Sequence, residues 1–291
     1  MALTTTVAGV WVLQALLGVE TLPAALRCKS FLPSAHESLI IDTTTRRQPL
    51  SQTAEYLSLV SAGVIDANGR VDDAVRDWMT VLGRPDRQVL LTLRRPGETV
   101  TVDGQSTPTV HERVLVVCRH RRWMAMAARD GEAMVIDAVG ESDDAPEQVE
   151  MVCHALLGAF GDAAPADING VNIAADLIAS ALEQAAPRGR DAVLTALSRL
   201  GLAPAQAEVL AAATRLDESA MAVVSVIDHG VRQHVHPRVL TVADTAYGRI
   251  RIATTTAADG AKWLSIFPAG GEELREDLTE LLSLPLLART A

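Results

Sequence analysis

Lysine is nearly missing: Lys29 and Lys262 stand alone among 26 basic residues, so arginine carries the positive charge. The cations are outnumbered by 36 acidic residues, which gives a net charge of -10 at neutral pH and a pI of about 5.2. A field of that sign repels polyanions and sets aside nucleic acid and acidic membrane surfaces as partners. Aromatic residues make up 3% of the chain, too few for base-stacking platforms or a carbohydrate cleft. Cysteine is scarce as well. Cys28, Cys118 and Cys153 include no C-x-x-C pair to suggest a cysteine zinc site or thioredoxin-type chemistry, and an odd, widely spaced set fits a reducing cytoplasm. The longest apolar stretch near the start, 7–19, contains Gln14, follows no basic residue and is shorter than the ~20 residues of a membrane span. Neither a secretory signal nor membrane insertion is expected. The catalytic signatures G-x-S-x-G, the P-loop and a G-x-G-x-x-G after a strand are all lacking.

What the chain has is apolar material and a repeat. Hydrophobic residues are 48% and charged residues 21% of 291, with a mean hydropathy of +0.18, enough to bury a substantial core in one large domain or two small ones. Asp130-Gly131 sits between the strand-like runs 123–129 and 133–139, and Asp259-Gly260 sits between 249–256 and 262–268, an offset of 129 residues. Asp-Gly between such runs predicts a tight hairpin, because its turn positions need positive φ. An amphipathic helix follows each hairpin. Asp144 and Glu147 read as a capping box before Val149, Cys153, Leu156 and Phe160, and Leu274, Leu278, Leu281 and Leu282 form the matching face.

The correspondence continues upstream. A helix over 73–82, then Asp86 and a strand over 89–93, matches a helix over 204–213, then Asp217 and a strand over 220–227, at an offset of 131. Helices over 52–62 and 191–200, each closed by a glycine (Gly63, Gly201), precede these. A short strand and helix begin each copy, over 4–17 and 168–182, and the first copy holds an extra strand over 26–32. The spacing therefore predicts an α+β chain of two related halves, 1–165 and 166–291. Joining the two meanders edge to edge into one twisted antiparallel sheet would leave the fewest unpaired edges.

Candidate chemistry is thin. His229, His234 and His236 are the best metal set, since a spacing of two on a strand puts His234 and His236 on one face, and a metal-dependent hydrolase using them is the alternative reading. Asp228, Gly230 and Pro237 equally mark a plain polar connection there. Cys153 and His154 are adjacent but diverge by ~100° on a helix, which leaves Cys153 in the core. Asp72-Asp73 and Asp143-Asp144 sit at helix starts and read as caps. Residues 191–213 resemble a helix-turn-helix whose second helix lacks any cation to anchor phosphate. Arg119 and Arg121, in a basic run between strands, read as a solvated turn, although arginine is also favoured at interfaces. The most suggestive segment is 95–112, an unusually long loop in which 99–102 could extend into a protruding strand. A partner there would meet Val100 and Val102 as apolar anchors, with Arg94 or Arg95 as a polar rim.

Several stretches resemble the EspG family, the ESX (type VII) secretion-associated chaperones of mycobacteria and related actinobacteria. They are Thr4 to Leu17 (TTTVAGVWVLQALL), Leu26-Arg27-Cys28, Leu82 to Arg87 (LGRPDR), Ala127 to Gly131 (AARDG), Asp167 to Asn172 (DINGVN) and Tyr247 to Ile250 (YGRI). The resemblance implies a cytosolic, non-enzymatic chaperone without cofactor. Its expected fold is quasi-two-fold, a central antiparallel β-sheet flanked by N-terminal and C-terminal helical bundles. It further implies binding to PE/PPE heterodimers at the hydrophobic tip of the PPE helical bundle, which keeps the client soluble and directs it to its secretion system, with weak self-association allowed. Contact residues are placed by region only: Arg94, Arg95, Val100, Val102, Val110, Arg119 and Arg121.

Overall fold

The computed structural model describes residues 2–30, 40–42, 47–102 and 105–285, with side chains at all of these except 40–42, 47–48, 102 and 105–106. β1 (Leu3–Thr6) runs directly into α1 (Val7–Leu17), where the Thr6 hydroxyl accepts from the Gly9 amide at 3.1 Å and Gly18 ends the helix in the left-handed region. A separate ribbon of β2 (Ile40–Asp42) and β3 (Arg47–Pro49) leads to α2 (Ala54–Ser61) and α3 (Asp73–Gly83). The Asp72 carboxylate accepts from the Ala74 and Val75 amides, so the acidic pair at that helix start is a cap. A meander follows: β4 (Arg87–Val102), β5 (Gln105–His120), β6 (Trp123–Asp130) and β7 (Ala133–Glu141), closed by α4 (Ala145–Phe160). Then come β8 (Val171–Ala174), α5 (Ala175–Ala185), α6 (Arg190–Arg199) and α7 (Pro204–Ala213). A second meander, β9 (Ala220–His229), β10 (Gln233–Thr245), β11 (Gly248–Thr256) and β12 (Lys262–Pro268), ends in α8 (Gly271–Leu282).

Ten strands form one antiparallel sheet in the order β1-β7-β6-β5-β4-β9-β10-β11-β12-β8. Outward from its middle the order is β4, β5, β6, β7, β1 on one side and β9, β10, β11, β12, β8 on the other. The meanders meet edge to edge in the β4–β9 seam, with Thr92 opposite Val223. Both outer edges are strands of four residues, which leaves few unpaired backbone groups.

Three local expectations need correction. The extra strand over 26–32 is instead a 3-10 turn at Ala24–Leu26, with Arg27 left-handed (φ 50°); the Arg129 guanidinium ties down the Leu26 and Arg27 carbonyls at 2.6 and 3.2 Å, so no strand forms there. Phe31 and Leu32 lie outside the described residues. The Asp130-Gly131 hairpin turns on Gly131 and Glu132, with positive φ at Gly131 alone, and Asp130 belongs to the ladder opposite Ala133. That is the glycine-first two-residue turn rather than the doubly positive one. At Asp144 only half a capping box exists: the carboxylate accepts from the Glu147 amide at 2.9 Å, but the Ser142 hydroxyl occupies the Glu147 carboxylate at 2.5 Å.

Strand alternation divides the core. Val89, Leu91, Leu93, Val224, Val226 and Val242 face α4 and α8 on one side of the sheet. Val114, Val116 and Ile136 face α1 to α3 on the other side, where Ala243, Ile250 and Ile266 face α5 to α7. Each fully buried leucine or valine among these stabilises the fold by about 1.5–3 kcal/mol. The helices of the second side therefore sit over the two outer parts of the sheet, α3 on β5 to β7 and α7 on β10, while α4 and α8 pack together over the middle of the first side.

Candidate functional site

Along the seam, the side facing α1 to α3 and α5 to α7 is only half covered. Leu90 and Thr92 of β4, and Met221, Val223, Ser225 and Ile227 of β9, are all half-buried, whereas their neighbours Leu91 and Val224 on the α4/α8 side are completely buried. The register puts Thr92 opposite Val223 and Leu90 opposite Ser225, so these residues form one apolar strip between the two groups of helices. Strands apolar on both faces need cover on both. Here one face has helices and the other is left partly open, a surface suited to an apolar partner.

The strip runs into a projecting arm. β4 pairs with β9 only as far as Arg94 opposite Met221, and β5 pairs with β6 only from Arg113 opposite Asp130. Beyond those points β4 and β5 pair only with each other, out to Val102 opposite Gln105. Residues 95–102 and 105–112 thus form a two-stranded ribbon rather than a long loop. Gly97 sits at a bulge where the ladder slips between Pro96 and Thr99, and a Cβ there would lie 2.5 Å from the Thr109 hydroxyl. That hydroxyl donates to the Glu98 carbonyl at 2.5 Å and pins the bulge.

The expected contact residues fall into two groups. Arg94, Arg95, Val100 and Val110 stand on the arm; Val102 is at its tip, and its side chain is outside the described part. Val110 pairs with Pro96 and Val100 with Thr107, three positions further along β5, so the two exposed valines stand on opposite faces of the ribbon. Val110 shares the strip's face with Arg94, whose Nε lies 3.1 Å from Glu112, itself held by Arg27 at 2.8 Å. Arg119 and Arg121 lie at the other end of β5, roughly 30 Å away at ~3.3 Å per residue. Arg119 is half-buried, paired with Asp86 at 2.7 Å and donating to Gln148 of α4 at 3.1 Å. Arg121 occupies a turn at φ 58°, its amide donating to the same Asp86. Asp86 thus uses both oxygens to fix that turn, and Arg119 acts as a tie between sheet and helix.

The three histidines do not converge. His236 is buried, its Nε2 2.8 Å from Asp228, whose carboxylate also takes Arg87 at 2.7 and 3.2 Å. His234 is exposed, because the ladder slips between Val235 and Val239 and breaks the alternation on which a shared face depends. His229 contacts Gln88 and Gln233 at 3.3 and 3.4 Å, and burial holds its imidazole below the ordinary range despite Asp228 and Asp86. Among the described residues no group of three or more His, Cys, Asp or Glu is placed to hold a metal ion. Burial raises the thiol pKa values of Cys28, Cys118 and Cys153, which keeps them un-ionised and poor nucleophiles. Cys153 packs in the α4/α8 core, its Sγ 3.6 Å from Thr279. The supposed recognition helix, α7, is buried at Ala207 and from Val209 to Ala213, and its accessible first turn, Pro204 to Glu208, offers no cation and one carboxylate.

With this geometry in view, the comparisons are direct: residues 6–280 match the model of the EspG family. This chain belongs to the EspG family. It is 31% identical over 262 residues to the ESX-2 secretion-associated protein EspG2 of Mycobacterium tuberculosis strain H37Rv, covering 88% of this chain and 85% of that protein. To the ESX-5 secretion-associated protein EspG5 of the same strain it is 26% identical over 278 residues, covering 92% and 88%. A solved structure of the M. tuberculosis type VII secretion system chaperone EspG5, in complex with a PE25-PPE41 dimer, aligns with a TM-score of 0.73 at 24% identity, covering 98% of this chain and 97% of that one. That likeness establishes a shared α+β fold built on one large antiparallel sheet.

In this EspG-family chain the seam strip escaped the sequence reading. Its signal was present: Ala220 to Ile227 is apolar at every position but Ser225, a pattern that needs burial on both faces. The arm is legible in sequence as a long segment with a possible strand over 99–102, but its pairing partner on β5 is not, since Pro108 within that run interrupts the strand pattern. Among the described residues no helix is long and apolar enough to cross a membrane.

Proposed function

We propose that this chain is a non-enzymatic, cytosolic secretion chaperone that covers the apolar helical tip of the PPE subunit in a PE/PPE heterodimer. In that role it keeps the pair soluble and delivers it to an ESX (type VII) system, with no cofactor. The observation that carries the reading is the half-open apolar strip of β4 and β9, lying between two groups of helices and continuous with an exposed arm. A helix end seated on it would hide Leu90, Met221, Val223 and Ile227 together with its own apolar residues, and the arm would extend the contact toward the ~1,200–2,000 Å² of a stable interface. Membership of the EspG family and the complex formed by EspG5 support the choice of client.

The two halves, 1–165 and 166–291, are read as copies of one ancestral unit within a single domain, N-terminal and C-terminal helical bundles flanking a shared sheet. The support is that strands appear in the same order outward from the seam. Of the seven residues named from sequence, Arg94 and Val110, on the strip's face of the arm, are assigned to direct client contact, Arg95, Val100 and Val102 to the arm's other face and tip, and Arg119 and Arg121 to the far end. Co-expression with PE/PPE pairs from the same genome, followed by size-exclusion chromatography, tests the function. One chaperone should co-elute per heterodimer; failure with every cognate pair rejects the reading.

A further inference from the structure

We propose that the gap where β10 and β11 separate is a second protein-binding site, taking an extended partner segment that presents a carboxylate side chain. The β10–β11 ladder runs from Thr245 opposite Gly248 to Thr241 opposite Ile252 and then stops. β10 nevertheless continues to Gln233, paired with β9 alone, and β11 continues to Thr256, paired with β12 alone. The cause is the bulge between Val235 and Val239. It contains Pro237, which has no N–H, and His236, drawn inward to Asp228. The facing edges at 233–240 and 253–256 therefore have no ladder partner in each other, and such edges recruit extended peptides by main-chain hydrogen bonding.

The inner end of this gap is a cavity of about 170 Å³ lined by Arg238, Arg251, Ser265, Phe267, Asp277 and Leu281 among others. Arg238 is engaged with Glu280. Arg251 is only partly engaged: Nη1 lies 2.5 Å from Asp277 and the guanidinium carbon 5.6 Å from the Phe267 ring centre, while Nε is buried with no acceptor. Nη2 makes no hydrogen bond among the described residues and, unlike Nε, is not sealed from solvent, so it can donate to an incoming carboxylate. Around the mouth, Val235 and Trp263 are exposed and Val231 at the hairpin tip is 93% exposed. Arg232, in the β9–β10 turn, and Lys262, at the start of β12, make no ion pair among the described residues. Apolar anchors, these two cations and the open amine of Arg251 favour a β-forming segment with an acidic side chain over a neutral or basic one. The mouth lies at the opposite end of the sheet from the arm, with Val235 standing opposite Ile227 at the near end of the seam strip.

The test uses the full chain and fluorescein-labelled Thr/Val-rich peptides carrying a single Glu walked through the sequence, with matched Gln and Lys series, read by fluorescence anisotropy. At one position the Glu peptide should bind at least about tenfold more tightly than its Gln partner, the Lys partner should not bind, and N-methylation of alternate residues in one register should abolish binding. Arg251→Gln should reduce the Glu peptide to the Gln level. Should that variant fail to fold, the three peptide series on the unaltered chain decide the matter alone. Equal affinity across the series, insensitivity to N-methylation, or no binding by any Glu peptide overturns the proposal.

Discussion

The hairpins β4–β5 and β9–β10 leave the seam from equivalent places in opposite directions, and they end differently. The first keeps pairing past its neighbours, through the bulge at Gly97, and becomes the arm; the second turns after His229, slips at Val235 and parts from β11. The helices differ in the same sense. α1 buries Val10, Val12, Leu13 and Ala15 among α2, α3 and β7, whereas α5 buries only Ile178 and Ala185 and leaves Leu177 exposed. The two sides of the sheet thus differ at their margins while they share the seam.

The largest effect should come from breaking the seam itself. Arg87 of β4 and Asp228 of β9 form a buried pair, and Arg87 also donates to the Leu282 and Leu284 carbonyls at the end of α8 at 3.3 and 2.8 Å. Asp228→Ala would strand that guanidinium in the core and should cost about 3–5 kcal/mol in urea denaturation. A comparable midpoint for variant and parent would mean the two sides hold together without this pair.

Next come the two outer cores. Leu13→Ala in α1 and Leu197→Ala in α6 both delete fully buried side chains, and each should cost about 2–5 kcal/mol. The α6 site belongs to the less covered group of helices and has more room to relax. It should fall at the lower end of the range, and a larger loss at α6 would contradict the difference in cover. The arm offers a sharper contrast. Val110→Asp, on the strip's face, should weaken PE/PPE binding about tenfold or more, while Val100→Asp on the reverse face should change it by less than about threefold, by calorimetry. Equal losses would mean the client grips both faces.

The smallest effect concerns His229 at the end of the second hairpin. Its folded pKa lies below the ordinary 6.5, so the unfolded chain binds this proton first as pH falls. The stability it contributes is complete above that value and shrinks as pH drops through it toward the folded pKa. His229→Gln should flatten the fall in unfolding free energy between pH 7.5 and 5.5 slightly; an unchanged slope would show that burial there is not felt.

Much of this was legible in the sequence for identifiable reasons. Caps and breakers such as Asp72, Asp144, Gly63 and Gly201 act locally, and the four leucines of α8 recur with helical period. The edge-to-edge seam followed from the cost of exposed strand edges. What stayed hidden depends on distant residues. Arg129 suppresses the strand after Leu26, Asp228 draws His236 away from His234, and the bulge at Gly97 sets Val100 and Val110 on opposite faces. No local pattern encodes those partners. The strip of Leu90, Val223 and Ile227 was written in the apolar run of β9, but which face helices would cover is a property of the assembled layers.

Hydrogen–deuterium exchange of the chain alone and in complex with a cognate PE/PPE heterodimer is the most direct test of the central assignment. Slowed exchange should map to β4 and β9 around Leu90 and Val223 and to the base of the arm, with α4 and α8 unchanged. Protection confined to the α4/α8 face, with the seam and arm exchanging as in the free chain, would contradict it.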